Sequence, residues 1–170
     1  RLGLKYALKD LTPPPLEAGF SVERAFRGAD DPQDVVQVGP REWRFKLGAR
    51  IECTTTLVAP SRRAHVALEV PIPAGTEILN GALRLTEELP SKPQQKVDWW
   101  SWRSNPFQHE NLRHQQAEAY AWRLAAGSYQ YVFYLRATAP GEYVLPPAKA
   151  QEMYAPETLG RSAGAKVIIE

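Results

Sequence analysis

The chain has 170 residues, 44% hydrophobic and 24% charged, and 21 Lys and Arg against 19 Asp and Glu leave a net charge of +2. That length suits one globular domain, and so even a charge balance argues against nucleic acid or an anionic membrane as a direct partner. A single cysteine, Cys53, excludes an internal disulfide framework and multi-cysteine zinc sites, and no run approaches the roughly 18 apolar residues of a membrane span.

Residues 1–19, with "TPPPLEAG" at their end, read as an extended N-terminal arm. The start on Arg1 rather than Met is what a piece of a longer protein would show, with targeting information held elsewhere. Strand-like alternation then dominates. In "ARIECTTTLV", Ile51, Cys53, Thr55 and Leu57 share one face, and Arg50, Glu52, Thr54 and Thr56 the other. In "RAHVALEV", Ala64, Val66, Leu68 and Val70 oppose Arg63, His65 and Glu69. "PIPAG", Pro71 to Gly75, ends that strand. Residues 86–106 read as a long polar loop carrying Trp99, Trp100 and Trp102.

Beyond the loop, "AAG" (Ala125 to Gly127) separates a strand ending near Leu124 from one starting at Ser128, and predicts a hairpin. In that next strand Tyr129, Tyr131, Phe133, Leu135 and Ala137 form a continuous apolar face. "APGE", Ala139 to Glu142, has the Pro and Gly positions of a type II turn. The last strand sets Ala163, Ala165, Val167 and Ile169 against Lys166 and Glu170. Eight or nine strands and fifteen prolines predict an all-β fold, an antiparallel β-sandwich formed by residues 1–170 as a single domain.

Three patterns imitate functional sites. "GRSAG", Gly160 to Gly164, matches the serine-hydrolase G-x-S-x-G, but a nucleophile elbow needs a helix after Ser162 and an acid and a histidine later in the chain. A strand follows instead, and no histidine comes after Ser162. "HENLRH" imitates the zincin motif, yet His109 and His114 are five apart rather than four, about 140° around a helix. Trp99, Trp100 and Trp102 suit folding back over the sandwich edge, contact with another domain, or stacking on sugars or bases; their irregular spacing is not that of a binding platform. Cys53 lies on an apolar strand face, where a buried, inert thiol is expected. The chain thus offers neither a catalytic nor a metal-binding constellation, and no cofactor is expected.

Most of the chain resembles the last macroglobulin-like domain of bacterial α2-macroglobulins. The resemblance runs through "LKYALKDL…PPLEAGFSVERAF" (Leu4 to Phe26), "VAPSRRAHVALEVPIPAGTEILN" (Val58 to Asn80), and "FQHENLRH" onward from Phe107 to Gly164. It is weakest over 81–106. The family's F-D-H is Phe107, Gln108 and His109 here, and its D-D-R is His114, Gln115 and Gln116. The order L-P-A-G-x-Y, R-A-x-T-P-G, P-P-A-x-A-E-x-M-Y, G-R-S-A is otherwise followed closely.

The resemblance implies a macroglobulin-like, receptor-binding-domain-like sandwich, and a non-catalytic role in a protease-trapping inhibitor of the periplasm or cell envelope. In such proteins a bait region is cleaved and a thioester, formed from C-x-E-Q in another domain, captures the protease. Cys53 is followed by Thr54, Thr55 and Thr56, so this chain does not make that bond. The resemblance assigns Met153 and Tyr154 to shielding the thioester before cleavage. It implies the thioester domain as partner and target proteases through the parent, while the charge balance and the lack of a long apolar run speak for no nucleic acid and no membrane insertion. On the residues alone, Met153 and Tyr154 could equally cap this sandwich. The chain could also be a binding or adhesion module using the Trp loop, or the same domain in a family member without a thioester.

Overall fold

The computed structural model describes residues 12–80 and 106–170. Trp99, Trp100 and Trp102, and nearly all of the predicted 86–106 loop, lie outside the described residues. Strands numbered in chain order build three sheets. The six-stranded sheet runs β1 (Leu16–Ala18), β13 (Ala155–Arg161), β12 (Lys149–Glu152), β6 (Arg63–Pro71), β9 (Gln116–Leu124) and β8 (His109–Leu112). A four-stranded sheet runs β2 (Ser21–Gly28), β5 (Arg50–Ala59), β10 (Gly127–Ala137) and β7 (Thr76–Leu79). A second one runs β11 (Gly141–Leu145), β14 (Ala165–Ile169), β4 (Glu42–Phe45) and β3 (Val35–Gly39).

The architecture is the predicted all-β sandwich, antiparallel except where β14 pairs with β4 in parallel. Among the described residues the helical element is one short 3-10 turn, Pro32–Asp34, capped by Asp31 accepting from the Gln33 N–H. The predicted apolar faces of β5 and β10 do turn to the core, although Glu52 and Tyr134 on the opposite face are buried as well. Ile51, Cys53, Thr55 and Leu57 are buried, paired in register with Leu135, Phe133, Tyr131 and Tyr129. All three sheets feed one core: Val66, Leu68 and Val70 from the first, Phe26 and Leu135 from the second, Phe45 and Val167 from the third. Phe26 joins the two small sheets edge-to-face, 5.3 Å from Trp43 and 5.2 Å from Phe45 between ring centroids.

Four sequence expectations are corrected. Fourteen strands stand among the described residues instead of eight or nine, because segments of three to five residues are too short to display a period. "AAG" is not a hairpin: β9 pairs with β6 and β8, whereas β10 pairs with β5 and β7, so the chain crosses there between sheets. The N-terminal arm is part of the sandwich at its end, since Leu16, Glu17 and Ala18 pair with Arg161, Gly160 and Leu159. Just before that strand, Thr12, Pro13 and Pro14 carbonyls accept from Arg41, the Gly164 N–H and Arg161. Ala64, placed by alternation on the buried face, is exposed, because the next residue, His65, has φ +50° and breaks the period.

Candidate functional site

The six-stranded sheet buries Val66, Leu68, Ala117, Ala119, Ala121 and Ala150, and turns the alternate residues outward. At one end of this outer face the chain reverses between β12 and β13 through Met153 and Tyr154. Two-residue hairpins usually require φ > 0 in the turn. Neither Met153 nor Tyr154 has it, since His65 is the one non-glycine residue with positive φ among the described residues. The pairing adapts: Glu152 opposes Ala155, but Gln151 opposes Leu159, leaving Pro156, Glu157 and Thr158 as a bulge. A proline, with no N–H to give a ladder, suits that bulge. The tip carries two large apolar groups in the open: Met153 is 50% exposed and Tyr154 81%.

The tip is fastened to β6. The Met153 N–H donates to the His65 carbonyl at 2.9 Å. The Glu152 carboxylate accepts the Ala64 N–H at 2.9 Å and lies 3.9 Å from the Arg63 guanidinium. His65 holds the ring of Tyr154 edge-to-face at 5.0 Å and, on its other side, that of Trp122 at 5.3 Å. A left-handed backbone costs a non-glycine residue about 1–2 kcal/mol, so the surroundings must hold His65 there. Trp122, 68% exposed, follows Glu118 and Tyr120 on the outward face of β9. Its backbone N–H donates to the Gln108 side-chain carbonyl at 2.9 Å, which closes the edge beside Phe107. Sequence reasoning passed over Trp122. The signal was present: in "AEAYAWRL" three alanines alternate with Glu118, Tyr120 and Trp122.

The other sequence motifs have structural explanations. The Ser162 hydroxyl accepts the buried Ala148 N–H at 2.9 Å and donates to the Ala163 carbonyl at 3.2 Å. His109 lies in β8 and His114 in the turn beyond it, so no helix presents them together. His109 instead leans on Tyr120, 5.8 Å between rings. Cys53 is buried, and desolvation pushes its thiol up to about 12, against the attraction of Arg24. A chemically inert thiol follows.

Among the described residues, three sheets around a single core, with a hairpin exposed at one end of the outer face, define an all-β sandwich module. Residues 19–157 match the family described as the bacterial alpha-2-macroglobulin MG10 domain, and the chain belongs to that family. It is 31% identical over 106 residues, 62% of its length, to an alpha-2-macroglobulin homolog of Nostoc sp., and spans 5% of that protein. It is also 25% identical over 171 residues to circularly permutated Ras protein 2 of Dictyostelium discoideum, covering 99% of this chain and 4% of that one. Among solved structures, Salmonella alpha-2-macroglobulin reacted with methylamine superposes on 92% of this chain with a TM-score of 0.70 at 23% identity. This chain spans 10% of that structure's chain.

Proposed function

We propose that this domain is a non-catalytic docking module of a bacterial alpha-2-macroglobulin, in which Met153 and Tyr154 cover the thioester of a neighbouring domain until the bait region is cut. The parent would act as a protease trap in the periplasm or cell envelope. One observation carries the reading: Met153 and Tyr154 project from a fastened hairpin at 50% and 81% exposure instead of joining this domain's core. A pair capping its own sandwich would be buried here. A thioester is an acyl electrophile and must be kept from water and amines until it is triggered. A polarizable Met and an aromatic ring are suited to exclude both.

Each large apolar group buried against the neighbour is worth roughly 1.5–3 kcal/mol. Two of them, less the cost of ordering, would hold the lid shut by ~3 kcal/mol and open it about 1% of the time. In a full-length parent carrying the thioester, Met153→Ala with Tyr154→Ala should speed thiol release in methylamine, without protease, by up to ~100-fold. Thiol release at the wild-type rate would remove the lid role.

A further inference from the structure

We propose that the docking face does not end at the hairpin: His65 and Trp122 continue it across the sheet, and an apolar surface of a neighbouring domain in the same parent chain covers the whole row. This rests on the docking reading above and adds Trp122 as a second anchor, with His65 as the positioning residue between the two.

The register places the groups side by side. Ala64 pairs with Arg123 and Val66 with Ala121, which sets His65 opposite Trp122. On the other side the Met153 N–H meets the His65 carbonyl. Strands β6 and β9 and the turn between β12 and β13 therefore align Tyr154, His65 and Trp122, with ring centroids 5.0 Å from Tyr154 to His65 and 5.3 Å from His65 to Trp122. The left-handed backbone of His65 breaks the strand's alternation at this point, a distortion that the core does not use.

The chemistry of the row selects its occupant. Trp, Tyr and Met are the residues enriched where protein interfaces are fully buried, and exposed apolar groups that adjoin one another mark such contacts. Glu152, next to the tip in sequence, is already engaged by the Ala64 N–H and Arg63, so it does not call for a cation from the partner. The partner should be apolar, with acceptors at its rim for the indole N–H and the phenol O–H. The rings meet at 63° and 85°, which makes a ridged surface for interdigitating side chains and not a flat platform for a sugar. The chain spans 5% of its Nostoc relative and 10% of the Salmonella structure's chain, so proteins of this family supply neighbours in cis.

Hydroxyl-radical footprinting of the full-length parent tests this, with the urea-unfolded parent as the fully open reference. A Trp122 that faced solvent at 68% exposure would be protected less than about twofold. Covered by a neighbour, it should be oxidised at least about tenfold more slowly, and Tyr154 with it. His65→Gly keeps the positive φ but removes the ring; protection of both Trp122 and Tyr154 should then fall by about threefold or more. Tyr154 protected with Trp122 open would end the extension and leave the lid reading standing, while both open would end both. Trp122 protected alone would overturn the continuity of the row. Unchanged protection in His65→Gly would remove the positioning role. Protection that fades on dilution would assign the face to a second copy and overturn the proposal.

Discussion

Ser162 shows how a residue that imitates a nucleophile is used as a clasp. Its backbone N–H donates to the Ala148 carbonyl at 2.8 Å while its hydroxyl takes the Ala148 N–H. Two segments fourteen residues apart are thereby joined reciprocally, and the alanine side is fully buried. Ser162→Ala would leave the Ala148 N–H without its acceptor, a loss of roughly 1–3 kcal/mol. A urea titration of wild type and variant measures it. Wild-type stability in the variant would mean that water or a rearranged loop replaces the hydroxyl.

At the scale of single elements, β8 is a four-residue edge strand fastened to β9 by a carboxylate. Glu118, buried on the outer face, accepts from Gln116 at 2.6 Å, Tyr120 at 3.0 Å, Asn111 at 3.3 Å and Arg113 at 3.0 Å. Two of those donors, Asn111 and Arg113, come from β8 and the turn behind it. The Gln116 amide first, with Tyr120 and Arg113 behind it, holds the Glu118 carboxyl below its ordinary value. A carboxyl whose folded pKa is depressed stabilises the fold above the unfolded value, about 4.3, and that contribution fades as pH falls through the folded one. Glu118→Gln should therefore cost roughly 1.5 kcal/mol at pH 7. The gap between the two urea midpoints should close as pH is lowered from about 4.3. A gap independent of pH would show that the amide's shape, and not the charge, is what matters.

Elements were readable in the sequence to different degrees. Those long enough to alternate, β5 and β10, were legible residue by residue, because one face of each meets the core and the other does not. Short pieces such as β1 and β12 carry three or four residues and borrow their conformation from partners far along the chain. "AAG" signalled a reversal but not which sheet the chain would enter, since a turn fixes local dihedrals and not the partner. At the candidate site, Met153 and Tyr154 were found through the resemblance. The outward side of Trp122 was legible in the alternation of its strand, but its place beside Tyr154 depended on knowing that β6 lies between β9 and β12, and the φ of His65 has no signature in a strand-like run.

At the scale of the whole molecule, three sheets must be kept in one arrangement, and Arg24 contacts the segments that link them. On β2 it follows the inward parity of Val22 and Phe26. Its guanidinium donates to the Pro71 carbonyl at the end of β6 at 2.9 Å, and to the Pro146 carbonyl beyond β11 at 2.8 Å. Desolvation pulls this guanidinium down to about 10, which still leaves it charged at neutral pH. Arg24→Met keeps the packed stem and loses both bonds, so unfolding free energy should drop by roughly 2–3 kcal/mol. Arg24→Lys has a single compact ammonium in place of a fork and should recover half of this at most. A lysine variant as stable as wild type in thermal melts would show that charge alone, without the two-pronged geometry, holds the sheets.

The parallel pairing of β14 with β4 sets a timetable for synthesis. Ala165–Ile169 fills the interior of its sheet, with β11 on one side and β4 on the other. More than a hundred residues separate β4 from it. As the chain leaves the ribosome, the β3–β4 ribbon must wait, one edge of β4 unpaired, until β14 arrives. Contacts so distant along the chain are slow to form and leave open strand edges meanwhile. Products that stop before Ala165 would present both unpaired edges, from β4 and β11, to one another's copies, so that one five-residue strand separates pairing within the chain from pairing between chains.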